Sequence, residues 1–262
     1  MKTAIIIPSR FGSTRFPGKP MAMIAGQSML HRVIALANEA AKNLSDVQIV
    51  VATDDDRIGA HCDEVGVKWL MTPVDCPTGT DRVEMAVRQL EIEPDFVINL
   101  QGDAPLTPPD FVAAMIDVYQ KNPADVVTPV TQLSWEQLDK LRENKKQTPH
   151  SGTTAMFDEK TGNAFWFSKN ISSIRKEKEL RETDAMSPIF RHIGLYGYSR
   201  DMLKKFVTLP EGKYEQLEGL EQLRVLENGF SVRCVPVDYK GRPSMSGIDS
   251  PEDVARAEQL LA

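Results

Sequence analysis

Short apolar runs alternate with helical patterns through the first half of the chain, and that alternation leaves few folds open. Thr3-Ala4-Ile5-Ile6-Ile7, stopped at once by Pro8, reads as a buried strand. Met29 to Ala41 follows as a helix, with Leu30, Val33, Ile34 and Ala37 on one face. Val47 to Ala52 is a second strand, and it runs into Thr53-Asp54-Asp55-Asp56, an acidic cap for a helix over Arg57 to Val65. The spacing then predicts a strand at Val67 to Met71, a helix at Thr80 to Leu90 and a strand at Phe96 to Leu100. A helix at Asp110 to Tyr119 and a strand from Asp125 to Thr128 complete the series. Such a pattern implies an α/β fold, a mostly parallel sheet with helices on both faces. Ligands bind outside the carboxyl ends of the strands in these sheets, which directs attention to the segments after Ile7, Ala52, Met71 and Leu100.

The second half is less regular. Residues 134 to 152 are polar and read as helix plus loop. Thr153 to Phe157 and Ala164 to Phe167 flank the turn-rich Asp158 to Asn163 and suggest a hairpin. The dense charge run of residues 175 to 187 reads as a solvated face. His192 to Tyr198 is strand-like, Glu215 to Leu226 a helix ended by Asn228-Gly229, Ser231 to Val237 a strand, and Pro251 to Leu261 a closing helix. The expected organisation is one domain over 1–262, with 134–191 and its neighbours as an inserted, hairpin-containing subdomain.

Charge and cysteine content narrow the function classes. Acidic residues outnumber basic ones by 37 to 31, a net charge of −6, which argues against a nucleic-acid surface and leaves room only for a local anion site. Cys62, Cys76 and Cys234 are odd in number and widely spaced, so neither a zinc site nor a disulfide framework is expected. The run after Lys2 is too short for a secretory leader, and no stretch approaches the roughly 20 apolar residues of a membrane span. The expected location is the cytoplasm, with no membrane partner.

The segment from Pro8 to Pro20 carries the strongest chemical signal. It places Gly12 and Gly18, the hydroxyls of Ser9, Ser13 and Thr14, and the cations Arg10, Arg15 and Lys19 in a loop at the end of a buried strand. Backbone N–H groups in such a loop cradle phosphate oxygens while the cations neutralise them. Lys19 is followed by Pro20, so the loop is not a Walker A element. Asp103 sits just past the strand end at Leu100, a place that suits a turn acid or a carboxylate for a hard cation.

These residues resemble the nucleotide-binding signature of 3-deoxy-manno-octulosonate (Kdo) cytidylyltransferases, which runs Ile-Pro-Ala-Arg, two variable residues, Ser-x-Arg-x-Pro-Gly-Lys-Pro. Ser9, in place of Ala, is the departure within that stretch. Pro77-Thr78-Gly79-Thr80-Asp81-Arg82 resembles the family's element at a helix start, and Gln101-Gly102-Asp103-Ala104-Pro105 its Gln-Gly-Asp-x-Pro motif. Ile248-Asp249-Ser250-Pro251-Glu252-Asp253 resembles Val-Asp-Thr-Pro-Glu-Asp. Further matches are Arg191-His192-Ile193-Gly194-Leu195-Tyr196-Gly197-Tyr198 and the Leu220-Glu221-Gln222-Leu223-Arg224 helix. One region departs. Thr153-Thr154-Ala155 stands for the family's Val-Lys-Val, and Ser168-Lys169-Asn170-Ile171-Ser172-Ser173 for Ser-Arg-x-x-Ile-Pro. Lys169 cannot reproduce a bidentate guanidinium fork.

The resemblance implies a Rossmann-like fold of the nucleotide-diphospho-sugar transferase type and the reaction of CTP with Kdo to give CMP-Kdo and diphosphate, for lipopolysaccharide synthesis. It implies that Arg10, Arg15 and Lys19 steady the triphosphate and that Asp103 and Asp249 hold Mg²⁺. Ser9, Arg10, Gly12, Ser13, Thr14, Arg15, Lys19, Thr78, Gly79, Arg82 and Asp103 would contact the nucleotide. Gln101, Lys169, His192, Tyr196, Glu221 and Gln222 would meet the sugar. A homodimer is expected, with the hairpin region at the interface. The alternatives are an 8-amino-Kdo acceptor, a sialic-acid or sugar 1-phosphate nucleotidyltransferase, and a nucleotide-binding module without activity.

Overall fold

Consecutive side chains along a strand point to opposite faces, so a strand buried at every position is covered on both sides. Ile5, Ile6 and Ile7 have no exposed surface, nor do Val50, Val51 and Ala52. The computed structural model describes residues 1–12, 16–245 and 247–261. It divides into two compact units, one of Met1–Pro123, Leu195–Val207 and Tyr239–Ala262, the other of Ala124–Gly194 and Thr208–Asp238.

In the first unit the strands lie in the order Lys68–Met71, Val47–Thr53, Thr3–Ser9, Phe96–Asn99 and Tyr196–Ser199. All these pairings are parallel except the last, where Tyr196–Ser199 runs antiparallel to Phe96–Asn99. Helix Met29–Ala41 starts where the Ser28 hydroxyl accepts from His31 N at 3.0 Å, and it buries Leu30, Val33, Ile34 and Ala37. Asp55 caps helix Asp56–Val65 in the same way, accepting from Arg57 N. Helix Gly79–Val87 packs on strand Thr3–Ser9, and Pro109–Lys121 on Met29–Ala41. Helix Pro251–Leu261 sets Ala257 into a buried cluster with Ile24, Met29 and Ile248.

The second unit orders its strands Val232–Pro236, Val126–Ser134, Met186–His192, Thr154–Phe157 and Ala164–Ser168. Thr154–Phe157 and Ala164–Ser168 form the antiparallel hairpin expected from the turn between them. The charge run folds into helix Glu177–Thr183, none of whose residues is buried, as a solvated helix face. Helix Glu177–Thr183 is fastened to helix Trp135–Gln147 by Arg142 on Glu177, at 2.7 and 2.9 Å, and by Arg181 on Asp139, at 2.9 and 2.6 Å.

Two expectations are corrected. His192 to Tyr198 is not one strand: Met186–His192 pairs with Val126–Ser134, whereas Tyr196–Ser199 pairs with Phe96–Asn99. Glu215 to Leu226 is not one helix. Gly219 adopts the left-handed conformation at φ 61° and ends Lys213–Glu218, after which Glu221–Glu227 begins. Helix Arg200–Phe206, capped by Ser199, carried no sequence signal strong enough to read.

Gly197 stands opposite Ile98 in the ladder, and a Cβ added there would lie 2.2 Å from Phe96 Cζ. Phe96 is fully buried and stacked on Tyr119, with ring centroids 4.0 Å apart, so it has little room to give way. Gly197→Ala is expected to cost about 1–3 kcal/mol of stability by overpacking. The check is the urea midpoint, which should fall; an unchanged midpoint would contradict this packing.

Candidate active site

Because Thr3–Ser9, Val47–Thr53 and Phe96–Asn99 run parallel, their carboxyl ends gather at one edge of the first unit's sheet. A pocket of about 330 Å³ opens there, lined among others by Ser9, Arg10, Lys19, Thr78, Asp103 and Asp249. Asp103 arrives by a close approach of backbones. Leu100 N donates to Ile6 O at 2.9 Å, prolonging the ladder by one residue, and the chain then turns through Gly102. A Cβ on Gly102 would meet Pro8 O at 2.7 Å and Ser9 Oγ at 3.0 Å, so only glycine fits. Asp249 is brought in from the far end of the sequence: Ile248 N donates to Asp103 O at 2.8 Å, and the buried Ile248 side chain anchors the segment. Asp253 accepts from Asp249 N at 3.0 Å and from Ser250 N at 3.1 Å, which sets the start of the closing helix.

Lys19 opens a single 3-10 turn, Lys19–Met21, on which Pro20 is buried. The loop ahead of it is closed by Gly18 N donating to Phe11 O at 3.0 Å, and the Arg57 guanidinium lies 3.4 Å above the Phe11 ring. Lys19 Nζ donates to Asp103 Oδ2 at 2.8 Å and reaches Asp249 Oδ1 at 3.4 Å. The two carboxylates expected to hold a metal therefore share one ammonium. Arg10 is exposed on the pocket wall and Gly12 is exposed beyond it. Ser9 Oγ is buried with no hydrogen-bond partner among the described residues. Ser13, Thr14 and Arg15 lie outside the described residues.

The helix-start element has structural duties of its own. Thr78 and Asp81 form a reciprocal capping box, with Asp81 N donating to Thr78 Oγ1 at 3.2 Å and Thr78 N to Asp81 Oδ2 at 3.1 Å. Gly79 is the first residue of that helix and lines the pocket. Arg82 also borders the pocket, but its guanidinium is buried and donates to Asp54 Oδ2 at 2.7 Å and Thr72 Oγ1 at 2.6 Å. Gln101 donates to Asn99 Oδ1 at 3.3 Å, and Asn99 faces Tyr196 in the strand register.

The remaining acceptor-side expectations fall in the second unit. His192 is buried, shares a 2.7 Å hydrogen bond with the Thr128 hydroxyl and packs edge-on against Phe167. Burial pushes its imidazole down to about 3, so the ring is neutral. Lys169 is held through its backbone: its N–H donates to Glu218 Oε2 at 2.7 Å, and its carbonyl accepts from Lys145 Nζ at 2.5 Å. Lys145 Nζ also donates to the carbonyls of Ser151 and Gly152, which ties the hairpin's entry and exit together. Gln222 is buried, and Glu221 is the first residue of its short helix.

A family model described as "Cytidylyltransferase" matches residues 4–235. The chain belongs to the cytidylyltransferase family. It is 44% identical over 263 residues to the 3-deoxy-manno-octulosonate cytidylyltransferase of Maricaulis maris (strain MCS10), with 100% of this chain and 98% of that protein covered. It is 36% identical over 263 residues to the 8-amino-3,8-dideoxy-manno-octulosonate cytidylyltransferase of Shewanella baltica (strain OS195), covering 100% and 99%. Among solved structures, it is similar to CMP:2-keto-3-deoxy-manno-octonic acid synthetase complexed with CTP, with a TM-score of 0.82, 31% identity, and 100% and 98% coverage.

Within this cytidylyltransferase, the acid behind Arg82 and one residue lining the pocket were not singled out from sequence. Asp54 read as part of a helix cap, yet it is the partner of Arg82; its place at the end of strand Val47–Thr53 was the signal available. Cys76 lines the pocket beside Pro77, and burial raises its thiol. Nothing in the spacing of the three cysteines marked it.

The neutral His192 has a measurable consequence. Its folded-state value lies below the usual imidazole range, so the unfolded chain takes up the proton first as pH falls. Stability from this residue is complete above pH about 6.5 and declines toward about 3, by at most about 1.4 kcal/mol per pH unit. In paired urea titrations, the stability advantage of wild type over His192→Gln should shrink between pH 6.5 and 4. A pH-independent difference would contradict the buried neutral ring.

Proposed function

We propose that this cytidylyltransferase transfers the cytidylyl group of CTP to 3-deoxy-manno-octulosonate and releases diphosphate. The observation that carries the reading is the meeting of Arg10, Lys19, Asp103 and Asp249 in one pocket at the strand ends. A triphosphate there lies against two cations and against the backbone that follows Pro8. The anomeric hydroxyl of the sugar attacks the α-phosphorus. One O–P bond forms, the bond from the α-phosphorus to the oxygen bridging to diphosphate breaks, and the hydroxyl proton passes to solvent water. Such a transfer needs position and charge compensation rather than a nucleophilic side chain. Lys19 and Arg10 balance the charge that moves onto the leaving diphosphate.

The donor set suits Mg²⁺. Asp103 and Asp249 offer hard carboxylate oxygens within reach of a single ammonium. Among the described residues no group of three or more His, Cys, Asp or Glu converges on one point, so further ligands would come from phosphate and water, as Mg²⁺ prefers. When bound, the ion supplies Lewis-acid stabilisation of phosphate oxygens.

The higher identity to a Kdo enzyme, 44% against 36% for an 8-amino-Kdo enzyme, supports Kdo as the acceptor. A cytoplasmic homodimer serving lipopolysaccharide synthesis is the setting that the family resemblance supports. Diphosphate release with CTP should be faster with Kdo than with 8-amino-Kdo; release with neither sugar would overturn the reading. Asp103→Asn should lower kcat on the order of 10²-fold or more with the circular dichroism spectrum unchanged. Wild-type kcat in that variant at saturating Mg²⁺ would remove Asp103 from the machinery.

A further inference from the structure

Two cations that line the pocket, Lys19 and Arg82, are held by different kinds of ion pair. Arg82 and Asp54 are nearly inaccessible, with side chains 3% and 9% exposed, and the guanidinium is held again by Thr72. Lys19 differs: its ammonium pairs with Asp103 and Asp249, carboxylates that are 34% and 53% exposed. The first pair is a fixture. The second is open to solvent on its acidic side and rests on a flexible stem with three rotatable donors. Partly exposed pairs of this kind are weak and are readily exchanged for a better partner.

We propose that the Lys19 ammonium and a divalent cation compete for the same oxygens of Asp103 and Asp249, so that nucleotide binding, by drawing Lys19 onto phosphate, opens both carboxylates to the metal. The inference rests on the reading of Asp103 and Asp249 as metal ligands. Its physical basis is that an ammonium hydrogen-bonded to a carboxylate oxygen both occupies that oxygen and repels a second cation beside it. A triphosphate offers Lys19 a denser negative partner than either carboxylate, while its own oxygens supply the remaining metal ligands. Transfer of Lys19 from acid to phosphate thus couples the two binding events. The coupling is reciprocal, so the metal strengthens nucleotide binding by the same factor as the nucleotide strengthens metal binding. Without nucleotide, Lys19 keeps the divalent ion loosely held.

The test is Mn²⁺ binding to the full chain, read by electron paramagnetic resonance, without nucleotide or sugar. Lys19→Met and Lys19→Gln should both bind Mn²⁺ up to about fivefold more tightly than wild type, and adding Asp103→Asn should abolish the gain. Equal or weaker binding in both Lys19 variants would overturn the competition. A parallel titration of wild type and Asp103→Asn with CTP present separates the two readings. If Mn²⁺ binds there in an Asp103-dependent way while the Lys19 variants show no gain, the metal reading stands and only the competition fails. If no Asp103-dependent binding occurs in any form, both fail.

Discussion

One ammonium ties together three parts of the chain that the sequence keeps far apart. Lys19 stands 84 residues from Asp103 and 230 from Asp249, yet it lies 2.8 and 3.4 Å from their carboxylates. That meeting depends on backbone contacts beneath it. Gly102 lets the turn after Phe96–Asn99 pass against Pro8 and Ser9, and Ile248 N hooks the C-terminal segment onto Asp103 O. Helix Pro251–Leu261, through Ala257, and the Ile24, Met29 and Ile248 cluster hold that hook in place. The geometry of the pocket therefore rests on the packing of small and apolar residues beneath its charged groups.

Much of the first unit was legible because its strands are buried on both faces and so read as unbroken apolar runs. Thr3–Ser9, Val47–Thr53 and Phe96–Asn99 lie within one or two residues of where periodicity puts them. Arg10, Lys19, Asp103 and Asp249 also proved to share one pocket. Pairing between charges was not legible. Nothing along the chain says that Arg82 will find Asp54, or that Lys19 will find the two acids assigned to a metal, because such choices are made by the fold. The second half misled where one residue interrupts a pattern, as Gly219 does inside an otherwise continuous helical period.

The second unit shows how this chain manages the region where it departs from the family pattern. Lys169 stands where an arginine was expected, and its backbone is clamped between Glu218 and Lys145. Lys145 reaches across to Ser151 and Gly152, just ahead of Thr153-Thr154-Ala155, where the family's lysine is missing. The backbone on either side of the hairpin is thus joined in one hydrogen-bond network. His192 belongs to the same unit's core, where its neutral ring supports packing against Phe167 and Thr128.

Under the proposed function, Lys19, Asp103 and Asp249 would seat the nucleotide and the metal together. The most direct measurement is an anomalous difference map from crystals grown with CTP and Mn²⁺ and no acceptor sugar. A manganese peak ligated by Asp103 and Asp249 is expected, with the triphosphate lying along the loop after Pro8 and Lys19 Nζ on a phosphate oxygen. A peak away from both aspartates, or a triphosphate bound elsewhere, would contradict it.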